Sequence, residues 1–243
     1  MISQLDSPPQ AEIIYPERDG NPMADNTVQF RWIMTIKANL DWLFAKDEQV
    51  FVAGDLLWYP IENNNKKRQA PDIMVVFGRP KGERGSYQQW KEENIAPQVV
   101  FEILSPGNTQ TEMNRKLLFY EHHGVEEYYI YDPEKNELSG LLRNEEKLEV
   151  IEEIDNWVSP RLGIRFQLAE PELIIYHPNG QPFSSYTEEK EKAEQERQRA
   201  EQEHQRAEQE HQRAEQEHQR AKQEHQRAEK LAEQLRKLGI NPE

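Results

Sequence analysis

The sequence contains no cysteine. Disulfides and thiolate metal sites are therefore excluded, and any metal would have to be held by oxygen or imidazole. No run of about 20 apolar residues occurs in the 243 positions, so no membrane-spanning helix is expected. Residues 1–10 are polar, with two prolines, and lack the basic start and apolar stretch of a signal peptide. These absences suit a cytoplasmic protein. Positive charge is scarce as well: 45 acidic against 30 basic residues leave a net charge of −15. A protein that grips nucleic acid by bulk charge is usually basic. Any such contact here has to be local.

What is present falls into distinct regions. After an N-terminal extension, residues 1–24, residues 25–177 hold almost all the aromatics and β-branched runs and read as one folded domain. Residues 178–187 contain Pro, Gly, Asn and Ser and read as a linker. Residues 188–243 repeat every seven positions, with Ala193, Ala200, Ala207, Ala214, Ala221 and Ala228 in register. The position three after each of these is Glu until Leu231, a poor coiled-coil seam. Pairs such as Glu203 with Arg206 and Arg206 with Glu210 favour a solvent-exposed helix instead. Leu231, Leu235 and Leu238 form a short apolar stripe, and Gly239 and Pro242 stop the helix. His204, His211, His218 and His225 would stand roughly 10 Å apart along it, too far to share one metal.

Within the domain, Asp25 or Asn26 can cap a helix with Val28, Trp32, Ile36, Leu40 and Leu43 on one stripe. Residues 49–53 and 56–59 read as strands around Gly54-Asp55, and residues 63–70 as a polar loop. Strands follow at 73–77 and 99–104. Thr109 or Thr111 opens a second helix, which Gly124 closes. Residues 127–131 form another strand, ended by Asp132-Pro133, and short strands continue to about residue 176. This order predicts an α/β domain with a mixed central sheet flanked by helices, followed by the long C-terminal helix.

Three polar residues stand where packing wants apolar ones. Glu102 lies in the middle of VVFEIL, a run apolar on both faces and so a central, doubly covered strand. A buried carboxylate must be protonated, paired or bound to a cation, so Glu102 is either one half of a structural ion pair or a functional acid. Asp72 directly precedes the strand IMVVF, and alternation puts it on the face of Met74 and Val76. The plainer reading is a Pro-Asp turn. Lys116 lies beside the helical stripe of Met113, Leu117 and Tyr120, from which it either snorkels to water or points to the sheet end. Arg115, about 100° round the helix, faces solvent. Two carboxylates on neighbouring strand ends with one lysine suit metal-assisted hydrolysis. Mg²⁺, with Mn²⁺ as a substitute, takes hard oxygen ligands, which Asp72, Glu102 and the main-chain carbonyl of Ile103 can supply. Lys116 would hold the attacking water or steady the developing anion.

These residues carry a resemblance. Pro71-Asp72 followed by Glu102-Ile103-Leu104 resembles the PD-(D/E)xK nuclease superfamily. The blocks PDIMVVFGRPKGERGSYQQW, APQVVFEILSPGNT, GVEEYYIYDP and WVSPRLGIRF, over about residues 26–178, are similar to its Putative restriction endonuclease family, including a subgroup with a charged helical tail. The resemblance implies a restriction-endonuclease-like core, in which a helix precedes a β-meander and a crossover helix leads to a fourth strand. It implies Asp72 and Glu102 as the metal-binding acids. The superfamily lysine normally follows the second acid by two positions, where this chain has Leu104. Lys116, on the next helix, takes its place. Some superfamily members add an acid from the first helix, for which Asp41 and Glu48 are the nearest here, and Asp55 could add an outer carboxylate.

The loop over residues 78–97 is long for a compact domain. Its Arg79, Lys81, Arg84, Tyr87, Trp90 and Lys91 mix cations with aromatics, as phosphate contact and base stacking require. With Lys66, Lys67 and Arg68 they would form a local positive rim. A solvated loop anchored by Trp90 is the other reading. His122 and His123, near a helix end, read as surface residues rather than ligands. The function expected is Mg²⁺-dependent hydrolysis of DNA by an endonuclease, with a homodimer supplying two centres for two strands. Two other readings stay open: a catalytically silent nuclease fold whose tail is the working part, and an RNA nuclease using the same site.

Overall fold

The computed structural model describes residues 13–18, 20 and 24–237, and the chain divides into two compact units between Ser185 and Tyr186. Helix α1, Thr27–Leu43, begins where Asn26 adopts an extended conformation and its side chain accepts a hydrogen bond from the Gln29 N–H at 2.8 Å. Its buried stripe is Trp32, Ile33, Ile36 and Leu40. Val28, expected on that stripe, is 39% exposed. The polar Gln29 takes the buried place in the first turn instead.

Strands β1 (Val50–Gly54), β3 (Ile73–Phe77) and β5 (Val99–Ile103) form an antiparallel meander, although β2 (Trp58–Tyr59) and β4 (Tyr87–Gln88) lie between them in sequence. Helix α2, Gln110–His122, then crosses to β6 (Glu127–Asp132), which runs parallel to β5. Parallel neighbours cannot be joined by a tight turn and need such a crossover. Strands β7 (Glu137–Asn144) and β8 (Lys147–Val150) complete a mixed six-stranded sheet in the order β1-β3-β5-β6-β7-β8. α1 and the antiparallel pair β9 (Arg165–Gln167) and β10 (Ile174–Tyr176) pack on the face that carries Ile73, Val75, Val99, Phe101 and Ile103. The opposite face, with Met74, Val76, Val100 and Tyr128, packs on Tyr120 of α2 and on Trp58 and Tyr87.

The strand expected at residues 56–59 is shorter and sits elsewhere. Asp55 turns the chain with φ +48°, and Pro60, which has no N–H, follows Tyr59. The two residues left pair in parallel with β4, outside the main sheet. Residues 178–184, linker-like in composition, are fastened to the first unit: Phe183 N–H donates to the Ile175 carbonyl at 2.7 Å and Asn39 Nδ2 to the Ser184 carbonyl at 2.8 Å.

The second unit is one helix, α3, over Tyr186–Lys237. At 1.5 Å per residue it extends about 78 Å. Its described side chains are exposed apart from the half-buried Ala232. Ion pairs at i,i+3 and i,i+4 run along it, among them Lys192 with Glu189, Arg197 with Glu194 and Lys237 with Glu233. Leu231 is exposed. The Leu235 side chain, Leu238 and the expected stop at Gly239 and Pro242 lie outside the described residues. Among the described residues, no helix is long and apolar enough to cross a membrane.

Candidate active site

Every residue of β5 is buried, as a central strand covered on both faces must be. Alternation sends Glu102 to the α2 face beside Val100. Its carboxylate is 2% exposed and is held at both oxygens. Lys116 Nζ donates to Oε2 at 2.8 Å, and Tyr120 OH donates to Oε1 at 2.5 Å. Lys116 and Tyr120 are four residues apart on α2 and therefore share a face. The lysine does not snorkel: its side chain is only 12% exposed. Arg115, beside it, faces solvent as expected.

Asp72 stands one residue before β3. The β3–β5 register pairs Ile73 with Phe101 and Met74 with Val100. Continued by one step, it puts Asp72 opposite Glu102, where side chains approach to about 4.5–5.5 Å at Cβ. Asp72 is thus more than a turn residue. Its Oδ2 accepts the Ile103 N–H at 2.6 Å, and its own carbonyl accepts the Asp55 N–H at 3.1 Å.

The electrostatics follow from this crowding. Burial first, and the Glu102 charge second, push the Asp72 carboxyl well above the ordinary aspartate range. Burial also raises Glu102, against the pull of Lys116 and Tyr120. Burial opposes the charged form of Lys116, but Glu102 outweighs it and holds the ammonium above the usual lysine value. Lys116 is therefore a proton-bearing donor at neutral pH. Among the described residues it makes one hydrogen bond, to Glu102, and a longer ion pair with Glu112 at 3.9 Å.

Residues that sequence reasoning passed over complete the surroundings. Gln29 Nε2 donates to the Ile103 carbonyl at 2.8 Å, and its Oε1 accepts the Asp25 N–H at 2.7 Å. Neither Asp41 nor Glu48 but this buried amide reaches the site from α1; Asp41 pairs with Lys37. Ser105 Oγ bonds Asp25 Oδ2 at 2.5 Å, tying the strand end to the start of α1. The signal for Gln29 was a polar residue one turn before Ile33 on an apolar stripe. The signal for Tyr120 was its i+4 spacing from Lys116.

Two carboxylates facing one lysine leave one negative charge uncompensated when both acids are ionised. A divalent cation would offset it. Among the described residues, no three His, Asp or Glu side chains gather as a metal cluster. The protein ligands would be Asp72, Glu102 and the Ile103 carbonyl, and so few suit Mg²⁺, which keeps several waters. Another buried acid, Glu127, offers a contrast. It accepts from Ser159 Oγ, from Tyr129 OH at 2.9 Å and from Arg161 N–H at 2.6 Å. It ties the 159–164 turn to β6 and is a structural carboxylate.

A family model described as Uma2, Putative restriction endonuclease, matches residues 31–170. The chain belongs to this family. The match takes in Asp72, Glu102 and Lys116, and it puts this Uma2 chain among nucleases. A solved structure described as a putative nuclease belonging to DUF820, from Anabaena variabilis, is similar over 56% of this chain and 72% of its own, with 18% identity and a TM-score of 0.42. No curated protein matches.

Within the expected nucleic-acid rim on residues 78–97, several cations are engaged inside the protein. Arg79 and Arg84 have side chains 11% and 13% exposed, and both are committed to Glu92, at 3.0 and 2.7 Å. Arg84 also lies over the Phe51 ring, 4.0 Å from its centroid. Lys81 Nζ donates to the carbonyls of Phe44 and Ala45 just past α1. Tyr87 is fully buried, and Trp90 packs against Tyr15. Arg79, Lys81 and Arg84 turn inward because they meet the loop's own acids and a helix end, whereas Lys91 is exposed. Lys66 and Lys67 stay exposed. His122 is exposed as expected, whereas His123 sits against Trp58 and Phe119, and burial first lowers its pKa to about 4.

Proposed function

We propose that this Uma2 chain is a Mg²⁺-dependent endonuclease that hydrolyses DNA phosphodiester bonds. The observation that carries the reading is the cross-strand pair of Asp72 and Glu102, two like charges opposed in a buried sheet end beside one retained lysine. Direct opposition of like charges destabilises a sheet, and a fold with no use for both acids would replace one. Asp72 and Glu102, with the Ile103 carbonyl, would hold the metal, and Mn²⁺ would substitute. When bound, the cation supplies Lewis acidity toward phosphate oxygen and lowers the pKa of water.

The chain's own residues do the rest. Ile103 N–H fixes the Asp72 carboxylate, and Gln29 fixes the Ile103 carbonyl. Lys116 stays protonated, so it acts as a hydrogen-bond donor and counter-charge to a phosphate oxygen, not as a base. Cutting both strands of a duplex calls for two such centres, which a C₂ homodimer supplies. Plasmid nicking tests the reading. Cleavage should appear with Mg²⁺ or Mn²⁺, vanish in EDTA and vanish in Asp72→Ala and Glu102→Ala. No metal-dependent cleavage by the wild type, or full activity in both variants, overturns it. Degradation of RNA but not DNA moves the substrate assignment.

A further inference from the structure

We propose that Tyr120 is a positioning residue whose hydroxyl fixes the Glu102 carboxylate for metal binding, an inference that rests on the metal-centre reading above. The hydroxyl and the Lys116 ammonium take one carboxylate oxygen each. With a single donor, a glutamate can still turn about its last side-chain bond. With donors on both oxygens, from two points on one rigid helix, its plane is set. The tyrosine itself has no freedom to leave. Its ring lies parallel to Trp58 at 6.4 Å and edge-on to Tyr128 at 5.0 Å, and the residue is fully buried. Burying a tyrosine hydroxyl asks for a partner; here the partner is the one acid that also meets Asp72 and Lys116.

A neighbouring side chain supplies the comparison. Tyr128 is as buried as Tyr120, on the same side of the sheet, yet among the described residues its hydroxyl has no hydrogen-bond partner. Removing either hydroxyl takes one oxygen out of the same core, but only the Tyr120 hydroxyl touches Glu102. If the Tyr120 hydroxyl served the core alone, neither removal would weaken metal binding, although only the loss of the bonded hydroxyl would lower stability.

The test is Mn²⁺ binding by titration calorimetry on the full chain, with thermal unfolding of the same samples in EDTA. Tyr120→Phe should bind Mn²⁺ about 10- to 100-fold more weakly than the wild type, the usual loss when a residue orienting a metal ligand is removed. Its unfolding should remain cooperative. Tyr128→Phe should bind as the wild type does. Equal affinity in wild type and Tyr120→Phe overturns the proposal, as does an equal loss in both tyrosine variants. A Tyr120→Phe chain that no longer folds assigns the hydroxyl to stability and also overturns it. A wild type that takes up no Mn²⁺ brings down the metal-centre reading, and this inference with it.

Discussion

Replacing Asp72 by asparagine should stabilise the metal-free protein while abolishing its metal response. The side chain keeps an oxygen to accept the Ile103 N–H, so the bond that holds the strand end survives. What disappears is a negative charge directly across from Glu102. Two unit charges about 5 Å apart interact by about 3 kcal/mol at an effective dielectric of about 20. Lys116 screens the pair, which leaves a gain of about 1–2 kcal/mol. For a chain of this size each kcal/mol moves Tm by about 2–4 °C, so Asp72→Asn should melt about 2–8 °C higher in EDTA at pH 8. The gain should depend on pH in a defined sense. The native Asp72 pKa lies above its ordinary value of 3.8, so the stability linked to that carboxyl is fully present below about pH 4 and is lost as pH rises through the native value. The two proteins should therefore melt alike near pH 4 and separate toward pH 8. Metal should reverse the order: at a concentration 100 times its dissociation constant it adds about 2.7 kcal/mol to the wild type and little to the variant. Scanning calorimetry in EDTA and in Mg²⁺ reads all of this. An Asp72→Asn protein that melts at or below the wild type in EDTA at pH 8 would refute the opposed-charge argument.

Lys116→Met strands a buried carboxylate and should lower stability by about 3–5 kcal/mol as well as abolish cleavage. Adding Glu102→Gln should restore most of the stability and none of the cleavage; urea unfolding distinguishes this from a surface lysine, whose loss would leave stability unchanged. Arg84→Ala should destabilise by about 1–3 kcal/mol, because Glu92 loses a partner and Phe51 its cover. It should leave DNA affinity untouched in fluorescence anisotropy, whereas a fall of about one in the salt slope would return Arg84 to the phosphate backbone.

Much of the site was legible in the sequence because it was written in local periods. VVFEIL announces a doubly covered strand, and any acid inside it is conspicuous. Period-two alternation put Asp72 on the face of Met74 and Val76, and period 3.6 put Lys116 beside Tyr120. Each inference needs only the residue and its chain neighbours, since pleat and helix pitch are properties of the backbone. The long helix over the heptads is legible for the same reason.

Only tertiary structure decided which of these residues meet. The β3–β5 register sets Asp72 opposite Glu102, and the packing of α2 brings Lys116 and Tyr120 to the two oxygens of one carboxylate. Gln29 reaches Ile103 across 74 positions of sequence. The inward turn of Arg79 and Arg84 was illegible too, because a loop has no period and its cations pair with whichever acid folding delivers. A short strand such as Trp58–Tyr59 likewise has too few residues to specify its own partner, so the sheet it joins is chosen by the chain around it. Composition and spacing determine which side chains are out of place in a helix or strand. Long-range contacts determine which of them meet: Lys116 ends within hydrogen-bonding distance of Glu102, and Asp72 on the Ile103 N–H beside it.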